Sequence, residues 1–223
     1  MTYVTSDWHI FKMPGGRRPS IEWKSLEIIF EELAKLTKED TVIFLGDLMD
    51  DGIRLPFRGE FVEVLDKINE GLSLCKKAIF IRGNNDDQND YFYKACGFDE
   101  VTYAVVGNTE KVAESSMNVN ILFSHTSVDF HDDENWVNIH GHIHRPNTDP
   151  DTISYYHDPA RCINICTADR RELRLTAVEK MILNKELERN NTWSPGFEHS
   201  GMSTLCQNQA YQIYLDSHKG GDR

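Results

Sequence analysis

Two histidines one residue apart, His142 and His144, follow a glycine in the run Ile139-His140-Gly141-His142-Ile143-His144. Imidazole nitrogens are good donors for divalent transition metals, and glycine lets a backbone come close to a ligand or to another chain segment. The pair gains meaning from other fragments of the same chemistry. Asp7-x-His9 lies near the N-terminus, Gly46-Asp47 ends an apolar run, Gly83-Asn84-Asn85-Asp86 ends another, and His125 ends a third. In open α/β sheets the residues just beyond the C-terminal ends of strands line the ligand crevice. Carboxylate, imidazole and amide oxygen converging there suit divalent ions such as Mn, Fe, Zn, Ni or Co, rather than the all-oxygen cages of calcium.

The elements that must deliver these groups are legible as patterns. Met1–Ser6 reads as a short strand leading to Asp7 and His9. Thr41–Leu45 and Ala78–Ile81 are continuous apolar runs, as expected of strands buried on both faces. Before Thr41, Trp23, Leu26, Ile29, Phe30, Leu33 and Leu36 fall at helical spacing, with Ser20 as N-cap. Phe61, Val64, Leu65, Ile68 and Leu72 mark a second helix over 60–72, and a short third helix spans Tyr91–Cys96. The texture then turns strand-rich: Val101–Val106, Val119–Phe123, Trp136–His140, Arg161–Cys166 and Leu173–Val178. Strand–helix alternation followed by strands points to a layered α/β domain built on two sheets. A helix is expected over Ala177–Arg189. Residues 1–189 therefore read as the domain, and 190–223 as a polar C-terminal appendage, partly disordered or docked late.

The 223 residues suffice for one full core, and a net charge of −12 argues against stable nucleic-acid binding while leaving a phosphorylated substrate open. Bound cations would reverse the local sign of a carboxylate-rich pocket. No apolar stretch approaches the roughly 20 residues of a membrane span, and no secretory signal is visible, so a cytoplasmic protein is expected. The five scattered cysteines fit reduced thiols. Cys162-x3-Cys166 has a spacing a metal could use, but it lies in a strand-like segment without a second pair and reads as packing. A homodimer is left open.

Taken in order, Asp7-x-His9, Gly46-Asp47-x-x-Asp50, Gly83-Asn84-x-Asp86, His125 and Gly141-His142-x-His144 resemble the motif set of the calcineurin-like metallophosphoesterases. The resemblance runs from residue 1 to about 180. Residues Arg161–Ile165 and Leu173–Ile182 look like the closing strands of a small bacterial and phage branch. It implies a four-layer α/β/β/α sandwich of two mixed sheets flanked by helices. It also implies a two-metal centre, with Asp7, His9, Asp47 and His144 on one ion and Asp47, Asn84, His125 and His142 on the other. Asp47 would bridge, and a hydroxide between the metals would attack a phosphomonoester or phosphodiester, the substrate being a phosphorylated small molecule or a nucleotide.

Many members of the family carry histidine after Gly-Asn, where this chain has Asn85. An amide donates a hydrogen bond but cannot act as a general acid, a role typically contributing about 10²–10⁴-fold. Asn85, Asp86 and the loop histidines His131 and His157 form the candidate catalytic set. Within it Asp86, like Asp50, reads as a carboxylate that orients ligand imidazoles or backbone amides. Arg17, Arg18, Arg82 and Arg145 are candidates for gripping phosphate oxygens, while His140 is expected to be hydrogen-bonded within its strand. His199 and His218 are expected to stand apart from the site. The alternatives to a phosphoesterase are a catalytically weak metal-binding scaffold of the same fold and a nuclease.

Overall fold

The structure, a computed structural model, describes residues 1–10, 23–49, 58–108, 120–128, 130, 136–144, 161–166, 174–178 and 203–219. Among them, β1 (Thr2–Thr5), β2 (Thr41–Phe44), β3 (Lys77–Ile81), β4 (Glu100–Thr102) and β9 (Thr176–Ala177) form one sheet, in the order β4-β3-β2-β1-β9. Its strands are parallel except β9, which runs antiparallel to β1. A second sheet, β5-β6-β7-β8, comprises Ala104–Asn108, Asn120–Ser124, Trp136–His140 and Cys162–Asn164. There β5 is antiparallel and the other three strands are parallel, so both sheets are mixed.

Alternation along the strands builds the layers. Val42, Phe44, Ala78 and Phe80 face helices α1 (Trp23–Leu33), α2 (Arg58–Leu72) and α3 (Asp90–Ala95), packing with Leu26, Ile29, Leu33, Val64, Ile68 and Tyr93. Their neighbours Ile43, Leu45, Ile79 and Ile81 point the other way, onto Ile121, Phe123, Val137, Ile139 and Ile163 of the second sheet. Two buried faces explain why these strands read as unbroken apolar runs. The outer face of the second sheet presents Leu122 and Trp136 to Ala210 and Tyr214 of α4 (Ser203–Lys219). Helices, sheet, sheet, helix is the α/β/β/α sandwich expected from the resemblance.

One expectation changes in detail. Val101–Val106, read as one strand, is divided at Tyr103: Glu100–Thr102 pairs with β3 in the first sheet, and Ala104–Asn108 with β6 in the second. A continuous apolar pattern carries no mark of a sheet change when both halves are half-buried. Within 190–223, read as an appendage partly disordered or docked late, the described α4 packs on the outer face of the second sheet. Its inward residues Cys206, Ala210 and Tyr214 follow i, i+4 spacing, but a thiol, a methyl and a phenol make a weak apolar stripe. The helix expected over Ala177–Arg189 lies mostly outside the described residues.

Candidate metal centre

The site is built where β1 and β2 run past their ends together. The Asp7 N–H donates to the Gly46 carbonyl at 2.8 Å, His9 N–H to Asp47 at 3.0 Å and Ile10 N–H to Leu48 at 3.0 Å. Five residues here leave the ordinary backbone regions for positive φ: Asp7 (53°), His9 (44°), Asp47 (58°), His142 (71°) and His144 (37°). Left-handed backbone is disfavoured for residues with a Cβ, by roughly 1–2 kcal/mol each, with aspartate and histidine among the more tolerant. Strain gathered on five neighbouring polar side chains marks a place where aim outweighs local comfort. Close approaches here require glycine. Gly46 has φ +90°, and a Cβ there would lie 2.6 Å from Gly83 N and 2.7 Å from His125 Nδ1. A Cβ on Gly141 would fall on Ser6 Oγ and Asp7 Oδ2.

The side chains converge as two groups, Asp7–His9–His144 and Asp47–His125–His142, each with donor atoms within 4.8 Å of one another. In the first, His9 Nε2 and His144 Nε2 are 3.1 Å apart, and His144 Nε2 is 3.0 Å from Asp7 Oδ1. In the second, His125 Nε2 is 3.1 Å from His142 Nδ1 and 2.9 Å from Asn84 Oδ1. Asp47 joins them: Oδ2 lies 3.6 Å from His9 Nε2, while Oδ1 lies 3.6 Å from His125 Nε2. Imidazole nitrogens turned on one another beside carboxylates are a donor set that fits divalent transition metals. The structure thus brings Asp7, His9, Asp47, Asn84, His125, His142 and His144 together in one place.

Electrostatics favours cations here. Burial would push the Asp7 carboxyl up, but hydrogen bonds from His144 and His9 outweigh it and hold it well below the usual carboxylate range. Burial works against a charge on His125, yet Asp47, Asp7 and the Leu45 carbonyl raise its basicity. His125 Nδ1 is 2.7 Å from that carbonyl; donating its proton there leaves the Nε2 lone pair facing the second group. The His142 N–H donates to Asp7 Oδ2 at 2.9 Å, tying the two sheet ends together, and Ser6 Oγ donates to the same oxygen.

The Asn85 amide turns inward, its Nδ2 donating to Asp47 Oδ2 at 2.6 Å and its backbone N–H to Oδ1 at 3.0 Å. Asp86 is buried behind the site, where its carboxylate receives the N–H groups of Asp47, Leu48 and Gly83. Burial, then the nearby Asp47 charge, push its pKa up to about 7. It acts in the fold as an acceptor for three backbone amides. Arg82 is committed elsewhere. It donates to the Asp86 and Gln88 carbonyls at 3.0 and 2.8 Å, pairs with Asp90 at 2.6 Å and stacks 4.9 Å over Tyr93. It therefore clamps the Gly83–Asp90 loop. His140 is wholly buried with Nδ1 donating to the Gly141 carbonyl at 2.8 Å, and burial pushes its pKa down to about 3.

His131, His157, Asp50, Arg17, Arg18, Arg145 and His199 lie outside the described residues, as does the side chain of His218. Neither Cys162 nor Cys166 joins a metal group among the described residues. Ser6 on Asp7 was not anticipated, since a serine beside an aspartate carries no pattern of its own. Gln207 of α4 was also missed; its Nε2 donates to the Ser127 carbonyl at 2.9 Å, two residues past His125. No helix among the described residues is long and apolar enough to cross a membrane.

The family model of the calcineurin-like phosphoesterases matches residues 2–177, and the chain belongs to that family. No curated protein matches the sequence. Among solved structures, the chain resembles AQ665, a protein of unknown function from Aquifex aeolicus, at 19% identity and a TM-score of 0.53, covering 82% of this chain and 98% of that one. The nuclease MPE of Pseudomonas putida is more distant, at 18% identity and a TM-score of 0.40 over 65% of this chain and 62% of that one.

Proposed function

We propose that this chain is a two-metal phosphoesterase that hydrolyses a phosphomonoester or phosphodiester of a small molecule or nucleotide. Family membership and the two donor groups support a metal-dependent phosphoester hydrolase. The observation that carries the two-ion reading is Asp47, whose two oxygens face different groups, at 3.6 Å from His9 and 3.6 Å from His125. Asp7, His9, His144 and one Asp47 oxygen would hold one ion; the other Asp47 oxygen, Asn84, His125 and His142 would hold its neighbour. When bound, such ions supply an acidified water as nucleophile and neutralise charge developing on the phosphoryl oxygens.

The chain's own residues fix this arrangement. The Leu45 carbonyl sets the His125 tautomer, Asp86 and Gly83 hold the turn bearing Asp47, and Arg82 holds the loop bearing Asn84 and Asn85. The donor set favours Mn, Fe, Zn, Ni or Co, with Mn the first to test. Five free thiols support a reducing, cytoplasmic setting.

The test is elemental analysis of the purified protein together with turnover of a nitrophenyl phosphodiester in Mn²⁺, alongside Asp47→Asn and His125→Ala. Two ions per chain and turnover that both substitutions abolish are expected. Less than one ion and no turnover would instead favour the catalytically weak scaffold of the same fold, the reading to which Asn85 lends weight. Comparing single-stranded DNA, cyclic nucleotides and nitrophenyl phosphates under one metal separates a nuclease from a small-molecule esterase. The net charge of −12 favours the latter.

A further inference from the structure

His144 presents Nε2 to the first donor group, so its other ring nitrogen decides how the ring is aimed. That nitrogen, Nδ1, lies 3.0 Å from the Sγ of Cys166, a wholly buried residue. For comparison, His125 has its outer nitrogen at 2.7 Å from a backbone carbonyl. Ligand imidazoles ordinarily donate their second N–H to a carboxylate, carbonyl or water, which fixes tautomer and ring orientation. A thiol sulfur in that place is a softer acceptor held by a different route.

That route is visible in the end of β8. The Cys166 N–H donates to Asn164 Oδ1 at 3.0 Å, and Asn164 Nδ2 returns a bond to the Cys166 carbonyl at 3.2 Å, closing a ring around one residue. The Ile165 N–H donates to the His140 carbonyl at 2.8 Å, and β8 pairs with β7 through Asn138↔Cys162, Ile139↔Ile163 and His140↔Asn164. The strand end bearing Cys166 is therefore locked beside the strand end bearing Gly141 to His144. Asn164 is itself buried, so this local ring is a fixed part of the fold.

We infer that Cys166 is a positioning residue for His144: its sulfur accepts the Nδ1 proton and so presents the Nε2 lone pair to the first metal. The inference rests on the two-metal reading of the site. It also gives Cys166 of the Cys162-x3-Cys166 pair a role that neither direct metal binding nor packing alone supplies.

The experiment loads wild type, Cys166→Ala and Cys166→Ser with Co²⁺, and reads the affinity of each ion by calorimetry and the cobalt visible spectrum. Unfolding of the metal-free proteins serves as the folding control. Loss of the acceptor is expected to weaken one ion about 10–100-fold, the range typical for an outer partner of a metal-bound histidine. The second ion and metal-free stability should change far less, the cobalt bands should shift, and Cys166→Ser should recover most of the loss because a hydroxyl also accepts. Should Cys166→Ala fail to fold, Cys166→Val fills the space without a comparable acceptor. If wild type binds two ions and the Ala or Val variant binds both equally well with unchanged bands, Cys166 is packing only and the inference falls. A wild type that binds no metal removes the two-metal reading and this inference with it, an outcome seen before any variant is made.

Discussion

Asp86 accepts the backbone N–H of Asp47 through Oδ2 at 2.7 Å, so the residue shared by both donor groups is held by its main chain from behind. The same carboxylate takes the N–H of Gly83 at 2.7 Å and of Leu48 at 3.2 Å, closing two loops on one buried acceptor. In Asp86→Ala those donors lose their partner, and each unsatisfied buried group costs about 1–3 kcal/mol. Relief of burying a carboxyl beside Asp47 offsets part of that. Metal-free Asp86→Ala is expected to lose about 2–4 kcal/mol in urea unfolding, and Asp86→Asn less, because one oxygen remains. A loss under about 0.5 kcal/mol for Asp86→Ala would remove Asp86 from this role.

Gly141 permits the contact between the two sheet ends. An alanine methyl there would fall on Ser6 Oγ and Asp7 Oδ2, and the Asp7 carboxylate also receives the His142 N–H at 2.9 Å. Gly141→Ala should displace Asp7 and His142 together. A shift of about 1 Å at a reacting centre can reduce turnover by about 10²-fold, and Gly141→Ala is expected to show that order of loss with reduced metal content. Wild-type metal content and kcat in the variant would mean the sheet ends can separate freely.

The legibility of the site followed from its construction. Asp7, Asp47, Asn84, His125 and His142 each follow a strand-like segment, and those before Asp47 and Asn84 are continuous apolar runs, so position and chemistry could be read together. The commitments of outer residues could not. Arg82 looks like a phosphate grip in sequence, and only the folded Gly83–Asp90 loop shows its guanidinium occupied by two carbonyls, Asp90 and Tyr93. The strand division at Tyr103 was equally hidden, because Val101 and Val105 have the same character but pack in different layers. Ala210 and Tyr214 belong to a helix face whose apolarity emerges only against Trp136 and Phe130.

Asn85 bears on which substrates are turned over. Its amide faces Asp47 and has no proton to give a departing oxygen at neutral pH. Across a series of aryl phosphodiesters, kcat/KM should fall steeply with rising leaving-group pKa. Asn85→His should flatten the slope by assisting the poorest leaving groups most, within the roughly 10²–10⁴-fold typical of general acids. A shallow slope in wild type would place a general acid elsewhere, with His131 and His157 the first residues to substitute.

Burial pushes the Cys96 thiol up to about 12; burial, with the Asp47 and Asp86 charges adding to it, pushes Cys206 up to about 11. An unfolded thiol ionises near 8.5. The folded state thus favours the protonated form, and this contribution to stability is fully present below about pH 8.5 and is lost as pH rises through the folded values. Unfolding free energy should hold between pH 7 and 8 and decline above about pH 9. At pH 8 both thiols should resist a disulfide reagent until urea is added, as read by mass spectrometry of labelled peptides. Rapid native labelling of Cys96 or Cys206 would contradict their burial.

Tyr214 anchors α4. Its ring meets Trp136 edge-on at 4.9 Å between centroids and Phe130 at 5.1 Å, next to the fully buried Ala210. Truncating a buried aromatic to alanine costs about 3–5 kcal/mol, more than a single helix lying on one sheet face can readily absorb. Tyr214→Ala is therefore expected to release α4 before the rest of the domain unfolds. Amide exchange along Ser203–Lys219 should rise by orders of magnitude while β2 and β3 keep their protection. Because Gln207 holds the Ser127 carbonyl at 2.9 Å, release of α4 also frees the segment following His125, and turnover should fall with the helix. Unchanged exchange along α4 in Tyr214→Ala would show that the helix is held by contacts other than this aromatic cluster. Fast exchange along α4 already present in wild type would show that the helix is held only loosely on the sheet.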